Sequence, residues 1–130
     1  MSVLARIADA VLGPRVPPGE LPGTPLPAGV VVRRNRWIPV IGGVTGKMRG
    51  PAAAVTLGGT ILVHPDAPVD EGLLEHELVH VRQWRQDRLF AAKYVAEWVR
   101  HGYRQNRYEV EAYDHERRFR AQQTRDARRP

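Results

Sequence analysis

The chain has 130 residues, enough for one domain with a modest core and too few for two domains of ordinary size. It contains no cysteine, which excludes disulfide bonds and thiolate metal sites, so any metal must be held by nitrogen and oxygen ligands. The formal net charge is +6, but much of the excess lies near the C-terminus without interleaved aromatic residues. We therefore expect a flexible basic tail over residues 123–130 and no specific nucleic-acid partner.

The first 29 residues are predicted to form a short helix and an irregular connector. Apolar residues recur at helical spacing between Met1 and Gly13, but Arg6 and Asp9 interrupt them. This pattern is too short and too polar for a secretory signal or a membrane span, so we expect a cytoplasmic protein without membrane association. The helix is predicted to dock on the domain, the alternative being a membrane-surface anchor. Six prolines between Gly13 and Gly29 exclude a regular helix and predict an extended connector.

Strand patterns are confined to the first half of the chain. Val30–Val32 and Trp37–Ile41 are short β-branched stretches, predicted to be two short strands or irregular extended pieces. Val55–Leu57 and Thr60–Val63 flank a Gly-Gly pair, which predicts a β-hairpin.

Helical patterns fill the second half. The periodicity predicts helices at about residues 71–87, 89–100 and 106–122, with Asp70 as the N-cap of the first and Gly102 near the end of the second. Together these elements predict an α+β fold over residues 30–122, in which a small N-terminal β-hairpin or sheet packs on a C-terminal bundle of about three helices.

The first of these helices contains the string H-E-x-x-H, at residues 76–80. Residues four apart lie on the same face of a helix, so the imidazoles of His76 and His80 can close on one zinc ion, while Glu77 reaches the water bound to it. Zinc lowers the pKa of such a water to about 7. Glu77 would then take the proton of the attacking water and deliver it to the leaving amine. The motif therefore predicts amide-bond hydrolysis.

Two histidines leave a zinc site incomplete, so a third ligand must come from elsewhere. The candidates are His64, Glu97, His101, Glu109, Glu111, Asp114 and His115. On the third helix Glu109 falls near the middle of the apolar arc, whereas Glu111 projects onto the charged side. A carboxylate in an apolar stripe is costly unless it is paired or binds metal, which favours Glu109 as the ligand. The alternative is an internal salt bridge from Glu109 to an arginine, and Glu116 is expected to pair with Arg120.

The segments HELVHVRQ (76–83) and NRYEVEA (106–112) together resemble the gluzincin clan of zinc metallopeptidases, in particular its small bacterial members. The resemblance covers about Thr56–Tyr113 and implies that His76, His80 and Glu109 bind zinc and that Glu77 is the base. Gln83 and Gln86 replace the glycine and histidine of a metzincin, which excludes that subclass.

The same resemblance also predicts roles for residues near the proposed zinc ligands. It implies that Thr60–Val63 is an edge strand on which an extended peptide substrate lies. In many relatives an aspartate four residues after the ligand glutamate steadies a histidine, but this chain has Tyr113 there, which leaves the support of the ligands open. We expect His64 to be a loop or supporting histidine and His101 to be a core histidine. Tyr103, Tyr108 and Tyr113 are the candidate transition-state donors.

The leading prediction is thus a zinc peptidase that acts on a peptide or protein substrate, in which the Pro-rich connector could be self-blocking. A second hypothesis is a zinc-stabilised, non-catalytic binding or scaffold domain that retains the motif. A third is a nucleic-acid or membrane-surface partner that uses the arginine-rich C-terminus, which would bind in a strongly salt-dependent way.

Overall fold

The computed structural model describes residues 2–23, 25–37 and 54–130, and the chain divides into two compact units, residues 1–69 and 70–130. In the first unit the described residues form helix α1 (Val3–Leu12), a 3₁₀ turn (Pro18–Glu20) and strands β1 (Val31–Arg34), β2 (Ala54–Leu57) and β3 (Thr60–Val63). In the second unit they form helices α2 (Glu71–Gln86), α3 (Phe90–His101) and α4 (Arg107–Ala127). The predicted α+β class is confirmed, with the sheet in the N-terminal half and, among the described residues, three of the four α-helices in the C-terminal half.

The sheet has the strand order β1-β3-β2. β2 and β3 form the predicted antiparallel hairpin, in which Leu57 lies opposite Thr60 and Gly58 takes the positive φ (+63°) that a two-residue turn requires. β1 runs parallel to β3 on its other side, with Val31 opposite Thr60. The prediction that Thr60–Val63 is an edge strand is therefore wrong. Its last three residues are apolar and at most 1% exposed, a composition that stabilises a central strand.

The Pro-rich connector begins along the outer side of β1. The backbone N–H of Val16 donates to the carbonyl of Val32, and that of Arg34 donates to the carbonyl of Pro14, both at 2.9 Å. This part of the connector is extended, as predicted. Of the predicted strand Trp37–Ile41, all residues after Trp37 lie outside the described residues.

Helix α1 is held at its C-terminal end by polar contacts. The buried Arg33 side chain donates to Asp9 at 2.5 Å and to the carbonyl of Gly13 at 2.8 Å. The predicted helix is confirmed, but its apolar side chains are between 53% and 78% exposed: Val3, Leu4, Ile7 and Val11. No helix in the described ranges combines the length and the apolar character needed to cross a bilayer.

In the second unit, side-chain caps set where two of the helices begin. Asp70 accepts a hydrogen bond from the backbone N–H of Leu73 at 2.7 Å and starts α2, as predicted. Asn106, which is fully buried, accepts from Tyr108 N at 3.0 Å and starts α4. α4 packs against α2 and runs beyond its predicted end at Gln122 to Ala127, because the chain has no glycine or proline there to stop it. Residues 123–127, predicted to lie in the tail, are thus helical.

Candidate metal centre

Two adjacent turns of α2 and the first turn of α4 bring His76, His80 and Glu109 together. One ligand atom from each residue lies within 4.8 Å of the other two, and the three residues are between 4% and 6% exposed. Nε2 of His76 lies 3.2 Å from Oε2 of Glu109, and Nε2 of His80 lies 3.2 Å from its Oε1. Among the described residues this is the group of His, Asp and Glu side chains that could hold a metal ion.

The position of Glu109 follows from the start of α4. Its N-cap Asn106 donates from Nδ2 to the carbonyl of Tyr94 at 3.1 Å, which ties α4 to α3. The Tyr94 hydroxyl in turn donates to Oε1 of Glu109 at 2.8 Å. Glu111 accepts instead from Gln83 Nε2 at 3.1 Å, outside the group. The structure thus places Glu109, and not Glu111, beside the histidines. Within the described residues the hydrogen bonds of Glu109 go to His76, His80 and Tyr94 and not to an arginine.

The charges of the group stabilise one another. Burial alone would lower the pKa of His80, but the hydrogen bond and negative charge of Glu109 outweigh burial, and with help from Glu77 and Gln83 the pKa rises to about 9. Burial would likewise raise the pKa of Glu109, yet the hydrogen bonds from His76, His80 and Tyr94 hold it well below its usual range. In this arrangement His80 carries a proton at neutral pH and pairs with an ionised Glu109.

The donor set suits zinc. Two imidazole nitrogens and one carboxylate oxygen in a buried site are the three protein ligands of one class of catalytic zinc centre, which keeps its fourth position for water. His76, His80 and Glu109 would hold the ion, and His80 would have to lose its proton to bind it. The residues present therefore fit the ion that the motif predicts.

Each histidine also has a hydrogen-bond partner at Nδ1, the ring nitrogen that does not face Glu109. Oε1 of Glu116 lies 3.1 Å from Nδ1 of His76, and Oε1 of Gln83 lies 2.8 Å from Nδ1 of His80. Gln83 further donates to the carbonyl of Tyr108 at 3.1 Å. Sequence reasoning missed both supports, although the predicted pair between Glu116 and Arg120 is present at 2.9 Å. Helical spacing could have indicated both supporting residues, because Gln83 follows His80 by three residues and Glu116 follows Glu109 by seven, which places each pair on one helix face.

Tyrosines line the same region. The ring of Tyr113 lies 4.5 Å from that of His76, and its hydroxyl lies 3.2 Å from the hydroxyl of Tyr103. Burial, together with the charge of Glu109, raises the pKa of Tyr94, Tyr103 and Tyr113, so all three stay protonated at neutral pH. The hydroxyl of Tyr108 instead accepts a hydrogen bond from Arg107 at 2.7 Å.

The predicted base Glu77 is buried, at 4% exposed. Its negative charge contributes to the raised pKa values of His80, Tyr94 and Tyr113, so it lies close enough to the group to act on it electrostatically.

The remaining predicted residues lie elsewhere. His64 follows β3 in a loop, as expected, where its Nδ1 accepts from the backbone N–H of Asp66 at 3.1 Å. The prediction that His101 is a core histidine is wrong: its side chain is 51% exposed, and its Nε2 lies 3.9 Å from Oε2 of Glu97. The physical reason is that α3 packs through its N-terminal half, at Phe90 and Tyr94, and leaves its last turn in solvent.

Comparison with known protein families gives one match. Residues 47–88 are similar to the eCIS core domain family. The matched segment contains the H-E-x-x-H string and ends before Glu109. No curated protein and no solved structure matches the chain.

Proposed function

We propose that this chain is a zinc-dependent peptidase in which Glu77 activates water for amide-bond hydrolysis. The observation that carries the proposal is the convergence of His76, His80 and Glu109 in one buried group, with Glu77 on the same helix as the histidines. The partial match to the eCIS core domain, a family linked to metallopeptidase-like effector domains, supports the same reading of the motif.

Zinc, when bound, supplies a Lewis acid that lowers the pKa of water and polarises a carbonyl. The chain's own residues would do the rest. Glu77 would hold the proton lost by the attacking water and return it to the leaving amide nitrogen. Because Glu77 is buried close to the group, bulk water would not compete for that proton.

A peptidase also needs a donor for the oxygen on which negative charge develops. Of the three tyrosines that the sequence leaves open, Tyr108 already has its hydroxyl bonded to Arg107, whereas Tyr103 and Tyr113 pair with each other. Their raised pKa values keep both hydroxyls protonated as donors. We therefore expect Tyr113, whose ring contacts His76, to be the stronger candidate.

The test compares the wild type with Glu77→Gln and with Glu71→Gln, a matched substitution in the first turn of the same helix. Zinc content is measured by elemental analysis, and cleavage of a generic unfolded protein is followed with and without a chelator. We expect stoichiometric zinc in all three proteins and a loss of cleavage of about 100-fold or more in Glu77→Gln alone. Equal, chelator-insensitive cleavage by all three would contradict the proposal.

One observation favours a second candidate, the non-catalytic zinc-stabilised scaffold. Both sides of β3 are paired along its length in the described part of the sheet, so the strand expected to receive a substrate is occupied. A scaffold would bind zinc and lose its fold in His80→Ala, but it would cleave no substrate. Zinc-dependent cleavage that Glu77→Gln abolishes would eliminate this candidate.

A further inference from the structure

We propose that Glu116 and Arg120 are positioning residues that tie the metal ligand His76 to the first turn of α2, and that Gly72 is required for this arrangement. The proposal rests on the zinc site described above. It assigns to these residues a role in metal affinity, exerted through His76 and not by contact with the metal.

Four side chains form a continuous path from the metal group to the start of α2. Oε1 of Glu116 lies 3.1 Å from Nδ1 of His76, and its Oε2 accepts from Nε of Arg120 at 2.9 Å. The guanidinium of Arg120 then donates to both carboxylate oxygens of Asp70, at 3.2 Å each. Asp70 is the N-cap of α2, the helix that carries both histidines. The path therefore starts and ends on the metal helix and passes through α4.

The side chains become more exposed along the path from His76 to Asp70. The side chain of His76 is 6% exposed, that of Glu116 is 21%, and those of Arg120 and Asp70 are 45% and 51%. Exposed ion pairs contribute little to stability, so the outer pair is not needed to hold the fold together. A forked guanidinium can, however, fix the direction of a carboxylate, and a carboxylate on Nδ1 fixes the tautomer and ring orientation of a metal-binding histidine.

Gly72 supplies an independent observation. It lies in the first turn of α2, where alanine would be the better helix former. A Cβ at residue 72 would nevertheless lie only 2.6 Å from Nε of Arg120 and closer still to its Cζ and Nη2. Since the obstacle is the end of a flexible side chain, an added methyl group would displace Arg120 and leave the helix intact. The glycine thus leaves room for Arg120 between Asp70 and Glu116.

His80 provides an internal comparison because a different residue supports it. Its Nδ1 contacts Gln83 on its own helix, and Gln83 is bonded to Tyr108 and Glu111 of α4. The path through Arg120 does not include His80. Changes in that path should therefore alter the contribution of His76 to metal binding and leave the support of His80 in place.

The experiment measures zinc affinity by competition with a chromogenic chelator, and the visible spectrum of the Co²⁺-substituted protein. The variants are Glu116→Ala, Glu116→Gln, Arg120→Met and Gly72→Ala. The matched control is Arg125→Met, which removes an arginine from the same helix that is bonded to Gln122 and not to Asp70. Thermal unfolding of each metal-free protein reports on stability separately.

We expect zinc affinity to fall by about 10- to 100-fold in Glu116→Ala and to recover in part in Glu116→Gln, which keeps an oxygen acceptor. Arg120→Met and Gly72→Ala should weaken binding several-fold and shift the Co²⁺ bands, without lowering the unfolding temperature of the metal-free protein. Arg125→Met should bind zinc like the wild type.

Wild-type zinc affinity and unchanged Co²⁺ spectra in Gly72→Ala and Arg120→Met would overturn the inference, even if Glu116→Ala failed to fold. Losses of affinity that follow losses of stability across the variants would also overturn it, because they indicate a merely structural role. A wild-type protein that takes up no zinc would overturn the proposed function itself, whereas zinc uptake that is equal in all variants would overturn only the positioning role.

Discussion

Lowering the pH from 9 to 7 should weaken zinc binding by about 50-fold. The pKa of His80 is raised to about 9 by Glu109, so at pH 7 about 99% of the metal-free molecules carry a proton on His80. A metal ion needs the neutral imidazole, and displacing that proton costs a factor of about ten in affinity for each pH unit below the pKa. Because half of the metal-free molecules already carry that proton at pH 9, the change from pH 9 to 7 amounts to about 2.3 kcal/mol of binding free energy.

Two measurements check this value. The pKa of His80 in the metal-free protein is read from imidazole NMR signals across the pH range, with the exposed His101 as an internal reference. Zinc affinity is then measured at several pH values in chelator-buffered solutions, where the logarithm of the association constant should rise by about one per pH unit. An imidazole of His80 that titrates near 6.5, or a zinc affinity that does not change with pH, would refute the reasoning.

The ion pair between His80 and Glu109 should also make the stability of the metal-free protein depend on pH. Because the pKa of folded His80 lies above its ordinary value of 6.5, its contribution is fully present below about pH 6.5 and is lost as the pH rises through 9. The pKa of Glu109 lies below its ordinary 4.5, so its contribution is present above that value and is lost as the pH falls. Metal-free protein should thus be most stable between about pH 4.5 and 6.5, and zinc should extend that range upward. Thermal unfolding at each pH measures both effects.

Three further substitutions, and one control at an exposed position, test the packing of the second unit by chemical denaturation. Leu74→Ala should lower the free energy of unfolding by about 2–5 kcal/mol because Leu74 is 2% exposed. Val95→Ala, at a 53% exposed position of α3, should change it by no more than about 0.5 kcal/mol. Equal losses in the two variants would contradict the described core. Asn106→Ala should cost about 2 kcal/mol through the lost cap of α4 and the lost hydrogen bond from Nδ2 to the carbonyl of Tyr94. Tyr94→Phe should cost about 1–3 kcal/mol in the metal-free protein by removing a donor from buried Glu109, and an unchanged unfolding free energy would contradict that bond.

Helices and the hairpin could be predicted from the sequence because their signals are local. Asp70 and Gly102 mark helix ends through groups three or four residues away, and Gly58-Gly59 marks the turn between adjacent strands. The place of Thr60–Val63 within the sheet could not be predicted in the same way. Its second partner is β1, whose Val31 precedes Thr60 by 29 residues, and no local pattern encodes such a pairing.

In the site, too, local signals could be predicted from the sequence, whereas contacts between separate elements could not. The approach of His76 to His80 follows from a spacing of four on one helix, and Glu109 was singled out because a carboxylate on an apolar face needs a partner. The exposure of His101 could not be predicted because an apolar arc shows which face of α3 is apolar, but not how far along the helix its neighbours reach. The contact between Glu116 and His76 depends on the distance between α2 and α4, which no single helix determines.

The support of His76 differs from the one that the resemblance to gluzincins implies. Where many gluzincins have an aspartate, four residues after the ligand glutamate, this chain has Tyr113, which packs its ring against His76 at 4.5 Å. The carboxylate is instead supplied three residues later by Glu116, nearly one helical turn further along the same face. A glutamate side chain is longer than that of aspartate and can span the added distance, but it has more rotamers. The hydrogen bond from Nε of Arg120 to Oε2 of Glu116 restricts those rotamers. In this chain Arg120 pairs with Glu116, and Gly72 leaves room for the guanidinium of Arg120.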